Sequence, residues 1–351
     1  MRLPPSMLEA TRLTREGRLS EAAALLRGLL VSAPTSAPVG DATILRHQPA
    51  RLPGTADPID RSARAPEAAA SPCFEALVYA GAHRRLTYKL YMPANAAAGA
   101  PLLVMLHGCT QTPDDFAAGT RMNRLADEYG FLVAYPEQTR SANASRCWNW
   151  FRSGDQRRDA GEPALISGMT REIVDRHAID PRRVYVAGLS AGGAAAAIMG
   201  ETYPDLYAAV GVHSGLACGA ASDMAGAMMA MRRGGAQTQM RPAATFVPTI
   251  TFHGDRDTTV DKINSDEIIA RARHGEASAL TLETVRGGTP GGRSHVRRIL
   301  RDPQGRSRLE QWTIQGAGHA WAGGDPAGSY TDPTGPDASR EMVRFFLAQG
   351  G

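Results

Sequence analysis

The sequence lacks the long hydrophobic run that a membrane-spanning helix needs. No apolar stretch among its 351 residues approaches the roughly 20 consecutive residues that cross a bilayer. Residues 1–20 also lack the apolar core of a secretory signal. We therefore expect no membrane partner and a cytoplasmic location. An extracellular location is the alternative, with an export signal that is not visible in this sequence.

Clustered positive charge and closely spaced cysteines are also missing. The net charge is only +4, and the arginines are scattered without interleaved aromatics, which predicts no nucleic acid partner. The four cysteines are Cys73, Cys109, Cys147 and Cys218. No two of them have the spacing of a zinc site, so we expect no metal. Free thiols and one or two disulfides both remain open, and nothing indicates an oligomeric state.

Composition divides the chain into three parts. Residues 1–30 contain two short helical patterns separated by a glycine, which predicts an N-terminal helical hairpin. Residues 31–72 are rich in Ala, Pro, Ser and Arg without periodicity, which is typical of a disordered linker. Residues 73–351 have the length and patterning of a catalytic domain.

Apolar runs and helical patterns alternate along this third part. The alternation predicts an α/β fold, a mainly parallel sheet with helices on both faces. Residues 297–314 resemble a β-hairpin that turns at "DPQGR". The remaining predicted strands are 85–93, 101–108, 131–136, 183–188, 207–215 and 247–254, and the predicted helices are 122–130, 164–179, 191–204, 223–235, 265–274 and 338–349.

The pentapeptide "GLSAG" places Ser190 between a predicted strand and a predicted helix. A serine hydroxyl is a weak nucleophile at neutral pH and needs an adjacent base. The strand–G-x-S-x-G–helix order is typical of a nucleophile elbow, in which glycines make room for a sharp turn that presents the serine above the sheet. The alternative is a crowded turn with no chemistry.

A nucleophile elbow predicts an acid next along the chain and then a histidine. Asp255 and Asp257 both follow the strand in "TFHGDRDTTV", and spacing alone does not separate them. His319 lies in the glycine-rich "GAGHAWAGG", after a strand and before the last helix. We expect His319 to take the proton from Ser190 and an aspartate to orient the imidazole.

An oxyanion hole requires two backbone N–H donors. One is expected at Ala191, directly after the nucleophile, and the other after the His-Gly of "LHGCTQT", at Cys109. The Cys109 thiol is not expected to be a nucleophile, because nothing nearby in the sequence supplies a base. Three of the four tryptophans are Trp148 and Trp150 in "RCWNWF" (146–151) and Trp321, two residues beyond His319. They are candidates for an aromatic wall that contacts substrate, with a core position as the alternative.

These motifs together resemble the polyhydroxybutyrate depolymerase family of esterases, within the α/β-hydrolase superfamily and related to feruloyl and acetylxylan esterases. The resemblance is carried by "LHGCTQTPDDFAAGT", "RCWNWF", "GLSAGGAAA", "HGDRDTTV" and "GAGHAWAGG", and it covers residues 74–349. It implies an α/β-hydrolase fold and a Ser190–Asp257–His319 triad, with Cys109 and Ala191 as oxyanion donors. It favours Asp257 over Asp255, and it favours a disulfide between Cys109 and Cys147 over two separate thiols.

The resemblance also implies a function. It points to a serine esterase without a cofactor, acting through an acyl-enzyme on short-chain polyhydroxyalkanoate polyester or its oligomers. A feruloyl or acetyl esterase acting on plant polysaccharide is the first alternative. A non-catalytic binding protein with a hydrolase fold is the second.

Overall fold

The computed structural model describes the predicted catalytic domain almost completely. It describes residues 71–81, 84–235, 245–276, 279–288 and 291–350, all of which lie in one unit, Pro66–Gly351. The hairpin predicted for residues 1–30 lies outside the described residues, as does the predicted linker up to residue 70. The first strand begins at Cys73.

A ten-stranded sheet forms the centre of the described chain, in the order β1-β2-β4-β3-β5-β6-β7-β10-β9-β8. Six neighbouring strands in the middle of the sheet, β4-β3-β5-β6-β7-β10, are parallel to one another. The outer strands β1 and β2 on one side, and β9 and β8 on the other, pair antiparallel. The bounds are β1 Cys73–Ala80, β2 Arg85–Met92, β3 Leu102–Leu106, β4 Leu132–Pro136, β5 Val184–Leu189, β6 Ala209–His213, β7 Thr249–Gly254, β8 Thr281–Gly288, β9 Ser294–Arg301 and β10 Ser307–Ile314.

The central strands are apolar throughout because both of their faces are covered. In β3, alternate side chains enter two separate cores. Leu102, Val104 and Leu106 join one core, and Leu103 and Met105 join the other. A continuous apolar run is the pattern expected of a parallel strand that is buried on both faces.

Helices cover each face of the sheet. α1 (Pro113–Thr120), α2 (Met122–Tyr129) and α7 (Ala338–Leu347) contribute to one core. The other core includes residues of α3 (Gly161–Arg176), α4 (Ala191–Thr202), α5 (Met224–Arg233) and α6 (Ile263–His274). Short 3-10 turns span Ser153–Gln156 and Pro181–Arg183, and a small parallel sheet pairs β11 (Trp321–Ala322) with β12 (Thr331–Asp332).

The predicted mainly parallel sheet is confirmed, and every strand and helix predicted between residues 85 and 349 is present within a few residues of its expected bounds. The hairpin at 297–314 is also confirmed, as the β9–β10 pair. β1, α1 and β8 were not predicted from the sequence, and neither were the two-residue strands β11 and β12. The residues of β8 are almost all exposed, so this strand has no hydrophobic periodicity to reveal it.

Small residues let α4 pack closely against the sheet. A Cβ added at Gly200 would lie 2.4 Å from Val210 Cγ2 on β6. The helix can therefore begin directly above the carboxyl end of β5, where Ser190 lies. Within the described ranges, no helix has both the length and the apolar character needed to cross a membrane.

Candidate active site

Ser190 occupies a sharply turned position between β5 and α4. Its backbone has φ 56° and ψ −118°, which a residue with a side chain adopts only at a cost of order 1–3 kcal/mol. Its N–H donates to His213 O at 2.9 Å, which ties the turn to the neighbouring strand β6. Strained backbone of this kind occurs mainly at functional sites, and this turn holds the serine at the carboxyl edge of the sheet.

The two glycines of "GLSAG" are required by close backbone contacts. A Cβ at Gly192 would lie 2.0 Å from Leu106 O and 2.5 Å from His107 O, and a Cβ at Gly188 would lie 2.3 Å from Gly192 O. Real side chains do not approach backbone this closely. The glycines therefore allow the first turn of α4 to rest against the end of β3, where the loop that contains Cys109 begins.

Asp257 and His319 are brought together from loops that follow the adjacent parallel strands β7 and β10. His319 Nδ1 lies 2.7 Å from Asp257 Oδ2. The other carboxylate oxygen of Asp257 accepts the N–H groups of Thr259 and Val260, each at 2.9 Å. With Nδ1–H donated to the carboxylate, a neutral His319 keeps an unprotonated Nε2 that can accept a proton.

The surroundings of Asp257 favour its ionised form. Burial alone would raise the pKa of this carboxyl, but the hydrogen bonds from His319 and from the backbone N–H of Val260 bring the pKa below its usual value. A carboxylate held in this way can fix the imidazole tautomer and stabilise the imidazolium.

Asp255 has a different role in the structure. Its Oδ1 accepts the N–H of Gly316 at 2.6 Å, and its own N–H donates to Ile314 O at 3.0 Å. These bonds join the end of β7 to the turn that follows β10. Asp255 therefore shapes the loop that carries His319, while Asp257 contacts the ring itself.

Among the described residues, Ser190 Oγ makes no hydrogen bond, so the structure does not join the serine to His319 directly. Ser190 is only partly buried, and the His319 side chain is 13% exposed. Hydrogen bonds between catalytic groups are often long in the absence of substrate and shorten in the reacting complex. The arrangement is therefore open to a substrate at these two side chains.

The backbone N–H groups of Ala191 and Cys109 belong to the two segments that meet at Gly192. Ala191 is the first residue of α4, so its N–H has no partner within the helix and lies at the positive end of the helix dipole. Cys109 follows β3 and forms a disulfide with Cys147. The next residue, Thr110, donates its N–H to Ser145 O at 2.7 Å. These contacts hold the backbone around Cys109 in a fixed position.

Three buried histidines lie near these loops and act as structural supports. Burial lowers the pKa of His107 to about 4 and that of His213 to about 3, and it also lowers the pKa of His253. The rings are therefore neutral near pH 7. His213 Nε2 accepts the N–H of Ala322 at 2.9 Å, and His253 Nε2 lies 2.8 Å from Val260 O. Each bond connects a strand end to an active-site loop.

The three tryptophans that are candidates for a substrate-facing wall are buried in the structure. Trp148 and Trp321 are each 1% exposed and Trp150 is 6% exposed, so all three lie in the core. Trp321 stacks on His213 at 5.1 Å between ring centroids. Trp148 Nε1 donates to His107 O at 3.1 Å, which supports the loop after β3 from beneath.

Glu162, a buried residue that was not predicted from the sequence, organises the "WNWF" segment. Its two oxygens accept Asn149 Nδ2 at 2.6 Å and Asn149 N at 2.8 Å, and burial raises its pKa. Glu162 therefore fixes the segment that contains Trp148 and Cys147. No local signal identifies this residue, because its partners are supplied by another part of the chain.

Gln111 was not predicted as a site residue either, although it lies within "LHGCTQT". Its Oε1 accepts the N–H of Gly108 at 2.9 Å, just before Cys109. Its Nε2 donates to Asp115 Oδ2 at 2.8 Å and to Ser329 O at 3.1 Å.

In the part of the chain that is described, no group of three or more His, Cys, Asp or Glu side chains is placed to hold a metal ion.

Residues 86–276 match the protein family described as Esterase PHB depolymerase. Poly(3-hydroxyalkanoate) depolymerase C of Paucimonas lemoignei is 34% identical over 245 residues, covering 65% of this chain and 57% of that protein. Feruloyl esterase B of Neurospora crassa is 36% identical over 128 residues, covering 36% of this chain and 43% of that protein. The chain thus spans about half the length of the curated relatives it matches.

Among solved structures, an acetyl xylan esterase from Aspergillus awamori superposes with a TM-score of 0.59 at 20% identity, covering 75% of this chain and 94% of that one. At this identity the likeness shows the fold alone, and with the sheet and helices described above it confirms the predicted α/β-hydrolase fold. The family match extends over more than half of the chain. The chain belongs to the Esterase PHB depolymerase family.

Proposed function

We propose that the protein is a serine esterase that cleaves carboxylic esters through an acyl-enzyme, with Ser190, His319 and Asp257 as its catalytic triad. The observation that carries the proposal is the 2.7 Å hydrogen bond between His319 Nδ1 and Asp257 Oδ2. It occurs in a chain whose serine has the strained backbone of a nucleophile elbow. A neutral imidazole ordered by a carboxylate is the base that a serine hydroxyl needs.

In the first half of the reaction, His319 Nε2 takes the proton from Ser190 Oγ as Oγ bonds to the ester carbonyl carbon. The carbonyl oxygen becomes an oxyanion, which accepts the N–H groups of Cys109 and Ala191. One such donor is worth about 3–4 kcal/mol of transition-state stabilisation. The intermediate then expels the alcohol, which receives the proton from His319. Asp257 stabilises the imidazolium throughout.

In the second half, a water molecule gives a proton to His319 and attacks the acyl carbon of the acyl-enzyme. Collapse of this second intermediate returns the proton to Ser190 and releases the acid. The scheme requires no cofactor and no metal.

We propose short-chain polyhydroxyalkanoate polyester, or its oligomers, as the preferred substrate. Support comes from the family to which the chain belongs and from the 34% identity to a poly(3-hydroxyalkanoate) depolymerase. A feruloyl or acetyl ester of plant polysaccharide is the second candidate, favoured by the 36% identity to a feruloyl esterase over a shorter segment.

We propose an extracellular or other oxidising location in preference to the cytoplasm. The Cys109–Cys147 disulfide supports this choice, because disulfides persist mainly in oxidising compartments. Fractionation of the source cells, followed by detection of the protein with an antibody, tests the location.

The catalytic proposal is tested by replacing Ser190 with alanine. We expect Ser190→Ala to lose p-nitrophenyl butyrate hydrolysis by at least about 10⁴-fold and to lose labelling by a fluorophosphonate probe, with the fold intact by circular dichroism. Ser153→Ala is the matched control, because Ser153 is an exposed serine in a 3-10 turn. Activity of Ser190→Ala within tenfold of the parent contradicts the assignment.

The substrate proposal is tested on the parent protein with amorphous polyhydroxybutyrate, p-nitrophenyl esters of increasing acyl length and methyl ferulate. A higher kcat/KM for the polyester or its oligomers supports the first candidate, and a higher value for methyl ferulate supports the second. A parent protein that neither hydrolyses an ester nor reacts with the fluorophosphonate probe is a binding protein with a hydrolase fold.

A further inference from the structure

Tyr330 lies between the two loops that carry His319 and Cys109. Its carbonyl accepts the N–H of Trp321 at 2.7 Å, and Trp321 is two residues beyond His319. On the other side, the Tyr330 hydroxyl lies 3.2 Å from Thr110 Oγ1. Thr110 directly follows Cys109. Tyr330 therefore contacts one residue near the proposed base in sequence and one residue next to the proposed oxyanion donor.

The direction of the Tyr330–Thr110 hydrogen bond follows from the other bond that Thr110 makes. Thr110 Oγ1 donates its only proton to Cys109 O at 2.6 Å. Tyr330 is then the donor to Thr110, and its phenol is attached to the loop that holds Cys109. This attachment limits the orientations that the ring can adopt.

The backbone that carries Tyr330 is held firmly. Asp115 accepts both the N–H of Ser329, at 2.8 Å, and its hydroxyl, at 2.6 Å. Gly328 rests directly on Gly119 of α1, where an added Cβ would lie 2.4 Å from Gly119 Cα. The loop that carries Tyr330 is therefore anchored to helix α1 on one side and to β11 on the other.

Both members of the Tyr330–Thr110 pair have strained backbone. Tyr330 has φ 52° and Thr110 has φ 67°, which is an outlier for a β-branched residue. Despite these constraints, Tyr330 is 47% exposed. A large ring that is exposed on a strained and well-anchored loop gains little stability by packing, and strain of this kind is concentrated at functional sites.

We propose that Tyr330 is a substrate-contacting residue that determines specificity for extended esters. Its ring packs against the ester unit next to the scissile bond, the role that the buried tryptophans do not fill. The proposal rests on the proposed esterase function, with a polyester or oligoester as substrate. A small acetyl ester such as p-nitrophenyl acetate lacks a second ester unit, so it lacks the group that the ring would contact.

The test compares Tyr330→Ala and Tyr330→Phe with the parent on p-nitrophenyl acetate and on a 3-hydroxybutyrate trimer. We expect Tyr330→Ala to raise KM for the trimer by about tenfold, the size of one well-packed aromatic contact. The KM for the acetate should change by less than the KM for the trimer, because the acetate lacks the neighbouring ester unit. Tyr330→Phe keeps the ring and loses the hydrogen bond to Thr110, so it should retain most of the trimer affinity.

Tyr129→Ala is the matched control. Tyr129 is similarly exposed, at 43%, but it ends α2 just before β4 begins, at the opposite edge of the sheet from Ser190. We expect Tyr129→Ala to leave kcat and KM unchanged for both the acetate and the trimer.

An unchanged trimer KM in Tyr330→Ala overturns the proposal. An equal loss of kcat on acetate and trimer overturns it too, because that result indicates that Tyr330 only positions the Cys109 loop. The parent protein separates the two levels of inference. If the parent hydrolyses neither ester, the proposed function fails; if it hydrolyses both and Tyr330→Ala matches it, only the role of Tyr330 fails.

Discussion

The Cys109–Cys147 disulfide offers a quantitative test of how the loop after β3 is held, which carries the proposed oxyanion donor Cys109. The two cysteines are 38 residues apart in sequence. In the chain-entropy relation, closing a loop of this length lowers the entropy of the unfolded chain by about 13 cal/mol/K, or about 4 kcal/mol at 25 °C. We expect the double variant Cys109→Ala/Cys147→Ala to lose about this much free energy of unfolding.

The effect on activity should be smaller than removal of an oxyanion donor, which costs about 10²–10³-fold in kcat. The backbone of the loop keeps two other attachments in the double variant, from Thr110 N to Ser145 O and from Trp148 Nε1 to His107 O. The Cys109→Ala substitution also retains the N–H group at this position. We therefore expect kcat for p-nitrophenyl butyrate to fall by about tenfold, with KM nearly unchanged.

Urea unfolding followed by tryptophan fluorescence measures the free energy, and steady-state kinetics measures the activity. Cys73→Ala is the matched control, because Cys73 is a free cysteine of intermediate burial. Dithiothreitol should destabilise the parent and leave the double variant unaffected. An unfolding free energy within 1 kcal/mol of the parent would falsify the reasoning, as would alkylation of both cysteines in denatured, unreduced protein.

Two further predictions concern the acid and the elbow. Asp257→Asn should lower kcat by about 10⁴-fold, because the imidazole loses the carboxylate that sets its tautomer. Asp255→Asn should lower kcat far less. Steady-state kinetics compares the two variants, and a larger loss of kcat in Asp255→Asn reverses the assignment of the acid. Gly192→Ala should lower the free energy of unfolding by about 3 kcal/mol or more, since its Cβ would lie 2.0 Å from Leu106 O. Gly154→Ala should leave stability nearly unchanged, because an added Cβ there has nothing within 4 Å. Equal unfolding midpoints for these two variants would contradict the packing argument.

Local pattern in the sequence was sufficient for the framework of the domain. The "PLLVML" and "RVYVAG" runs predict buried strands because parallel strands are covered on both faces and leave an unbroken apolar signature. The glycines of "GLSAG" predict the elbow because a sharp strand-to-helix turn leaves no room for a Cβ at the positions two residues before and two residues after the serine. Each of these patterns lies within a few consecutive residues, so it can be recognised without knowledge of the rest of the fold.

The choice between Asp255 and Asp257 depended on more than spacing. Both follow β7 within three residues, and the family pattern alone favoured one of them. The tertiary structure gives the physical distinction: Asp257 contacts His319, which is 62 residues away in sequence, and Asp255 caps the turn at Gly316.

Burial of the tryptophans was likewise decided by the tertiary structure. The spacing of Trp321 from His319 placed it near the active site, but the ring packs between His213 and Phe116 in the core. The sequence next to a catalytic residue limits how far a side chain can be from the site. It does not say towards which side of the backbone that side chain points.

Tyr330 is a residue whose position could be recognised from the tertiary structure but not from the sequence. Nothing in "GSYTDP" distinguishes this tyrosine from an ordinary loop residue. It becomes significant only when the fold sets it beside Thr110, 220 residues earlier in the chain. Hydrophobic periodicity and turn composition report on neighbours in sequence, whereas the walls of this site are built from loops that meet only after the sheet has assembled.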